Sequence, residues 1–251
     1  MRKLEECPAP LFGSTGSRLL DGTTPYHTAL EDRLAGFFRY SSSPTEAACS
    51  VSDTSALLFN SGYDANVSFF STVPQRGDYI VHDELVHASV WDGMRSNARR
   101  GVAESHRYSF RHNSVDDLER VLHKIVRLEE GGPESRTIYI GIESLYSMDG
   151  DLVPLEEMLI MLESMRNRFS RVINPKKVVI ILDEAHTTGV TGSGGRGLAW
   201  HLQATTGRLG SARLENTMAK MVRDWCQVRV MTFGKAVGGQ GGKSPVYRTH
   251  R

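Results

Sequence analysis

Cysteine is scarce in this chain: Cys7, Cys49 and Cys226 are its only three. An odd number at wide spacing supports no disulfide framework and suits a reducing compartment. Charge of one sign is lacking too. Lys and Arg number 30 against 29 Asp and Glu, a formal net charge of +1, which leaves no electrostatic footprint for nucleic acid or an anionic membrane. No apolar run approaches the length of a membrane span, and the N-terminus carries no signal-peptide core. No internal repeat is visible. What remains is 39% hydrophobic and 24% charged, the composition of an ordinary globular protein, expected in the cytoplasm. Its 251 residues exceed the usual single-domain size, so one large domain or two smaller ones fit.

Short apolar runs at Ala56–Phe59, Tyr79–Val81, Thr137–Ile142, Val178–Leu182 and Val228–Phe233 read as buried strands. They are rich in Val, Ile and Leu without polar alternation, as parallel strands covered on both faces should be. Helical spacing marks His27–Phe38 and Val115–Leu128. Pro154–Phe169 opens on a proline at a first helical position, with Glu156 and Glu157 in the first turn. Strands alternating with helices predict an α/β sheet with helices on both faces. Tyr40–Ser55 reads as a Ser/Thr-rich loop. Ala204–Asp224 reads as a polar connection whose later part forms a short surface helix. Lys243–Arg251 carries no strand or helix pattern.

The segment Val178–Gly197, VVIILDEAHTTGVTGSGGRG, ends an apolar strand in Asp183, with His186 three residues on. Ligands in open α/β sheets sit beyond the carboxyl ends of strands, so both are well placed for a site. Alone, they could equally be a turn cap and a surface histidine. DEAH after a strand also suggests a magnesium-holding nucleotidase, which needs an upstream phosphate loop. The nearest match, VGGQGGKS at Val237–Ser244, lies downstream, has valine for the first glycine, and is followed by Pro245. That reading fails. GSGGRG at Gly192–Gly197 fits a dinucleotide fingerprint, but it does not join a strand to a helix and no acidic strand end follows at the required distance.

Lys235, in MTFGKAVG, lies just past an apolar strand among small residues that let a ligand approach the backbone. An isolated lysine in a glycine-rich turn is more often merely exposed. Paired with Asp183, however, it matches what pyridoxal phosphate requires. The cofactor needs a lysine for its imine and a carboxylate to keep its ring nitrogen protonated.

Read in order, the chain shows STGSRLLDGTTPYHTALEDRLAGFF (Ser14–Phe38), LLFNSGYDANVSFF (Leu57–Phe70), DYIVHDELVHASVWDGMR (Asp78–Arg95), FRHNSVDDLERVL (Phe110–Leu122), IGIESLYSMDGDLVPL (Ile140–Leu155), DEAHTTGVTGSGGRG and TFGKAVG. This ordered series resembles the α-oxoamine synthase family, most closely its 8-amino-7-oxononanoate synthase branch of biotin biosynthesis, with serine palmitoyltransferases among the relatives. The resemblance implies a pyridoxal-phosphate fold type I large domain: a mainly parallel sheet flanked by helices, dimerising across the active site as a homodimer. It implies pyridoxal 5'-phosphate as cofactor. Ser61, Gly62 and Tyr63 would form the phosphate-binding turn, and His87 would stack on the pyridine ring. Ser147 would supply a polar contact. Asp183 would meet the ring nitrogen and His186 the phenolic oxygen. Thr232 would touch the phosphate or orient Lys235, the Schiff-base lysine. Glu143 matches an acidic strand-end position of the family.

The implied reaction condenses an amino acid with an acyl-CoA, with loss of carbon dioxide, and Lys235 is the base that takes the Cα proton. For the named branch the substrates would be alanine and pimeloyl-CoA. Against the family pattern, residues 1–13 read as an N-terminal remnant, 14–242 as an incomplete cofactor-binding large domain, and 243–251 as an atypical tail. A C-terminal small domain is missing from the pattern, so the alternatives are a serine palmitoyltransferase-like or other α-oxoamine synthase, or a non-catalytic truncated member.

Overall fold

The structure, a computed structural model, describes residues 16–39, 54–97, 101–129, 136–205 and 212–247. Cys7, Cys49, the remnant 1–13 and most of the Tyr40–Ser55 loop lie outside the described residues. The elements in chain order are α1 (Pro25–Phe38), β1 (Thr54–Phe59), α2 (Gly62–Thr72), β2 (Tyr79–Asp83), α3 (Ala88–Asn97), β3 (Arg107–Phe110), α4 (Val115–Glu129), β4 (Ile138–Glu143), α5 (Leu155–Phe169), β5 (Val178–Asp183), α6 (Leu198–Thr205), α7 (Ala212–Trp225), β6 (Val228–Thr232) and β7 (Gly242–Tyr247).

Local chemistry explains the helix starts. Thr24 caps α1 by accepting from the His27 N–H at 3.4 Å, its own N–H donates to His27 Nδ1 at 3.1 Å, and Pro25 follows at the first helical position. Ser61 caps α2, its hydroxyl accepting from the Asp64 N–H at 3.0 Å. Ser114 does the same for α4 through the Asp117 N–H at 3.2 Å, and acidic residues fill that helix's first turn.

The strands form one seven-stranded sheet in the order β1-β7-β6-β5-β4-β2-β3. From β3 through β6 every pairing is parallel, and β7 runs antiparallel between β6 and β1. This is the mainly parallel, helix-flanked sheet expected. Alternation along the strands divides the core in two. Val81, Ile140, Ile142, Ile180 and Leu182 pack on one face with Leu122 of α4, Leu159 of α5 and Val222 of α7. Ile80, Tyr139, Ile181 and Val230 pack on the other with Phe70 of α2 and Met94 of α3.

Two expectations need correction, and one strand is additional to those expected. The stretch after Lys243 is not patternless, since 243–247 belong to β7. Pro245, which lacks an N–H and argues against a central strand, pairs opposite Ala56. The later part of Ala204–Asp224 is no short surface helix. It lies within α7, which buries Met218, Met221, Val222 and Trp225 against the sheet. β3 escaped notice because it is a four-residue edge strand with no apolar run. Among the described residues no helix is long and apolar enough to cross a membrane.

Behind the strand ends lies an ion pair with both partners fully buried, Glu184 after β5 and Arg229 on β6. Arg229 Nε donates to Glu184 Oε2 at 2.8 Å, and Nη2 bonds the same oxygen. Arg229 also reaches the carbonyls of Phe38, at 3.1 Å, and Arg196. Glu184 Oε1 accepts from the Ala199 N–H at 2.9 Å. One pair thus ties α1, the glycine-rich loop and α6 to the sheet. Arg229→Met, which strands a buried carboxylate, should destabilise the fold by about 3–5 kcal/mol. Glu184→Gln combined with Arg229→Met should recover most of that loss, as read from urea midpoints.

Candidate active site

Beyond the carboxyl ends of β4, β5 and β6 opens a cleft of about 290 Å³, closed on one side by the start of α2 and on another by the β2–α3 connection. Ser61, Gly62, Tyr63, Asn66, His87, Glu143, Asp183, Ala185, Thr232, Gly234 and Lys235 line it. It sits where parallel α/β sheets place ligands.

The helix start is shaped by close packing. A Cβ on Gly62 would come within 3.2 Å of Thr232 Cβ, and one on Gly242 would run into the backbone of Ser61 and Gly62. The turn is therefore wedged between β6 and β7, and the start of α2, where first-turn N–H groups lack backbone acceptors within the helix, lines the cleft. Such an end favours an anion. Thr232, half-buried, accepts weakly from the Gly234 N–H at 3.4 Å.

Asp183 and Glu143 end adjacent parallel strands and are register partners, so both side chains emerge on the same side. Asp183 is held at both oxygens, Oδ2 by Asn66 Nδ2 at 2.7 Å and Oδ1 by the Ala185 N–H at 2.9 Å. Glu143 is only 7% exposed. Burial, then the neighbouring charge of Asp183, pushes its carboxyl up to about 7, while the His87 backbone and Lys235 oppose the shift. Lys235 Nζ lies 2.6 Å from His186 Nε2. Burial and then Lys235 hold that imidazole below the ordinary histidine range, so it is a neutral acceptor for the ammonium.

Tyr63 meets His87 edge-on, ring centres 6.0 Å apart, and its hydroxyl bonds the Asp92 carboxylate. Of the residues read from the sequence, Ser61, Gly62, Tyr63, His87, Asp183, Thr232 and Lys235 come together on this cleft, and His186 joins through Lys235. Ser147 does not line it; it is exposed in the turn after Tyr146. Asn66 went unread. Its signal was available, because it lies four residues after Gly62 and hence on the same face of α2.

The rejected readings have structural grounds. The two acids of DEAH part company: Asp183 faces the cleft while Glu184 turns into the ion pair with Arg229. GSGGRG folds back on itself, with Gly192, Gly194, Gly195 and Gly197 all at positive φ and Gly195 against the backbone of Gly189.

A second polar network flanks the site. His112 bonds the carboxylates of Asp83 at 2.9 Å and Asp151 at 2.8 Å, and Asn113, in the left-handed region, bonds both acids as well. Burial depresses the His112 imidazole, but the two carboxylates outweigh it and raise it overall. The network ties the end of β2 to the turn carrying Ser147.

The aminotransferase class I and II family profile matches residues 2–243. An 8-amino-7-oxononanoate synthase of Emericella nidulans is 39% identical over 244 residues, 95% of this chain and 48% of that protein. The solved serine palmitoyltransferase of Sphingomonas wittichii superposes with a TM-score of 0.67 at 31% identity, over 98% of this chain and 47% of its own. One from S. paucimobilis, solved with a bound PLP–myriocin aldimine, has a TM-score of 0.64 at 28% identity, over 94% and 46%. The chain spans about half the length of the curated relatives it matches.

The raised carboxyl of Glu143 sets a pH dependence. Its neutral form is favoured by folding, so its contribution is fully present below the unfolded value of 4.5 and is lost as pH rises through about 7. Glu143→Gln should therefore match the parent near pH 4 and gain on it up to neutrality, by on the order of 3 kcal/mol. Urea midpoints of the two proteins across that range check this; parallel curves would refute it.

Proposed function

The chain belongs to the aminotransferase class I and II family, and from that premise we propose that it carries the cofactor-holding large domain of an α-oxoamine synthase. The enzyme would be an acyltransferase that joins an amino acid to an acyl-CoA with loss of carbon dioxide. One observation carries the reading: Lys235, Asp183 and the N-terminus of α2 open onto a single cleft. An amine, a fixed carboxylate and an anion-binding helix end are the donor set pyridoxal 5'-phosphate calls for, and a cleft of about 290 Å³ suits a group of that size.

When bound, the cofactor supplies an electron sink for a carbanion at the amino-acid Cα. The residues would divide the remaining work. The first turn of α2, from Ser61 to Tyr63, would hold the phosphate, with Thr232 beside it. Asp183, kept in place by Asn66 and Ala185, would hold a proton on the ring nitrogen. His87 would cover the ring and limit water. Lys235 would anchor the cofactor and then act as the base at Cα, and His186, 2.6 Å away, would stabilise its charged form between steps.

The finer choice of alanine and pimeloyl-CoA is supported by the motif series and by the Emericella relative. The likeness to solved serine palmitoyltransferases supports serine and a longer acyl chain as the second reading. The biotin role and the homodimer rest on the motif resemblance, and the cytoplasmic location on composition and cysteine usage.

Incubation with pyridoxal phosphate and borohydride should fix the cofactor to the parent chain at Lys235, by peptide mass analysis. Lys235→Ala should lose that adduct, and full-yield labelling of the variant would sink the assignment. In a protein completed to the length of its relatives, Asp183→Asn should slow Cα-proton exchange of the amino acid roughly 100-fold or more with little change in melting. Near-parental exchange would make Asp183 a turn cap only.

A further inference from the structure

We infer that Asn66 is a positioning residue of this cleft: its amide orients the Asp183 carboxylate and, through Ser89, sets the tautomer of His87. Asn66, on α2, is 2% exposed, and Ser89, on α3, is fully buried. The two helices approach closely at Gly93, where a Cβ would come within 2.7 Å of Phe70 Cβ and 3.1 Å of the Val67 carbonyl. Glycine there lets α3 bring Ser89 up to α2.

The direction of each hydrogen bond follows from elementary donor and acceptor counting. Asp183 Oδ2, 2.7 Å from Asn66, belongs to a carboxylate and can only accept, so the nitrogen end of the amide faces it. The second proton of Nδ2 goes to Ser89 Oγ at 3.1 Å. Having accepted there, the serine hydroxyl donates its own proton to His87 Nδ1 at 2.8 Å. The Ser89 backbone N–H also approaches Nδ1, at 3.2 Å. Two donors converge on that nitrogen, so it carries the lone pair and the neutral ring bears its proton on Nε2. His87 therefore offers a bound ligand a donor there, not an acceptor.

The amide's other end, Asn66 Oδ1, is buried and left without a hydrogen-bond partner in this orientation, a costly arrangement. Flipping the amide would set that oxygen against the Asp183 carboxylate, which costs more. The unpartnered acceptor persists because the Asp183 bond holds the amide in place.

One arm of the test needs no cofactor. In the full chain labelled with 15N-histidine and held above the histidine titration range, long-range proton–nitrogen spectra report each ring's tautomer, and a His87→Gln spectrum assigns the signal. The expected result is Nε2–H for His87 in the parent. In Asn66→Asp a carboxyl oxygen replaces the amide donor and accepts the Ser89 hydroxyl proton, so His87 should lose that donor and shift toward Nδ1–H; a His87 signal unchanged from the parent refutes the relay through Ser89. A parent His87 in the Nδ1–H form overturns the inference whatever the variants do.

The second arm rests on the proposed function. Asn66→Ala should bind pyridoxal phosphate about tenfold or more weakly, as expected for losing a hydrogen bond to a charged group, and should shift the pH at which the lysine-bound chromophore changes colour. Parental affinity and an unshifted titration in Asn66→Ala refute the brace on Asp183. A parent chain that fails to bind pyridoxal phosphate counts against the proposed function, while the tautomer still decides the relay.

Discussion

The buried pair of Glu184 and Arg229 is the constraint on which the site's geometry depends. Glu184 directly follows Asp183, and Arg229 lies opposite Leu182 in the parallel ladder of β5 and β6. Pulling Glu184 behind the sheet leaves Asp183 on the cleft side, since consecutive residues leaving a strand face opposite ways. Taking both charges out of water is expensive. The surrounding bonds to the Phe38 and Arg196 carbonyls and from the Ala199 N–H offset that cost. The same bonds draw α1, the glycine-rich loop and α6 onto the strand ends.

In front of that anchor, environment gives chemically similar groups different partners. Glu143 and Asp183 stand side by side, yet only Asp183 receives two strong donors, from Asn66 and Ala185. For Glu143, burial and its neighbour's charge outweigh the His87 backbone N–H and Lys235, and the carboxyl is raised to about 7. The imidazoles divide likewise. His186 accepts from Lys235 at the open side, His87 takes its proton pattern from Ser89, and His112 is committed to two carboxylates away from the cleft.

The central strands were legible because each is a short apolar run covered on both faces, and the structure moved their ends by only a residue or two. The two strands that went unread differ physically. β3 is an edge strand of mixed polarity. β7 lies between β1 and β6, which offer it backbone partners on both sides, so it forms despite Gly242 and Pro245. α7 was misjudged because its many charged residues masked the apolar stripe of Met218, Met221, Val222 and Trp225.

From the sequence alone came the α/β class, the pairing of Lys235 with Asp183 and the ordered motifs that mark the family, all properties of local pattern and residue order. Tertiary structure alone decided which of the adjacent acids Asp183 and Glu184 serves the cleft, that Ser147 stands outside it, and that Asn66 and Ser89 link Asp183 to His87. The first depends on a contact between residues 45 positions apart, and the last on contacts 23 and 117 positions apart. No local propensity encodes such a contact; it exists only once the helices pack on the sheet.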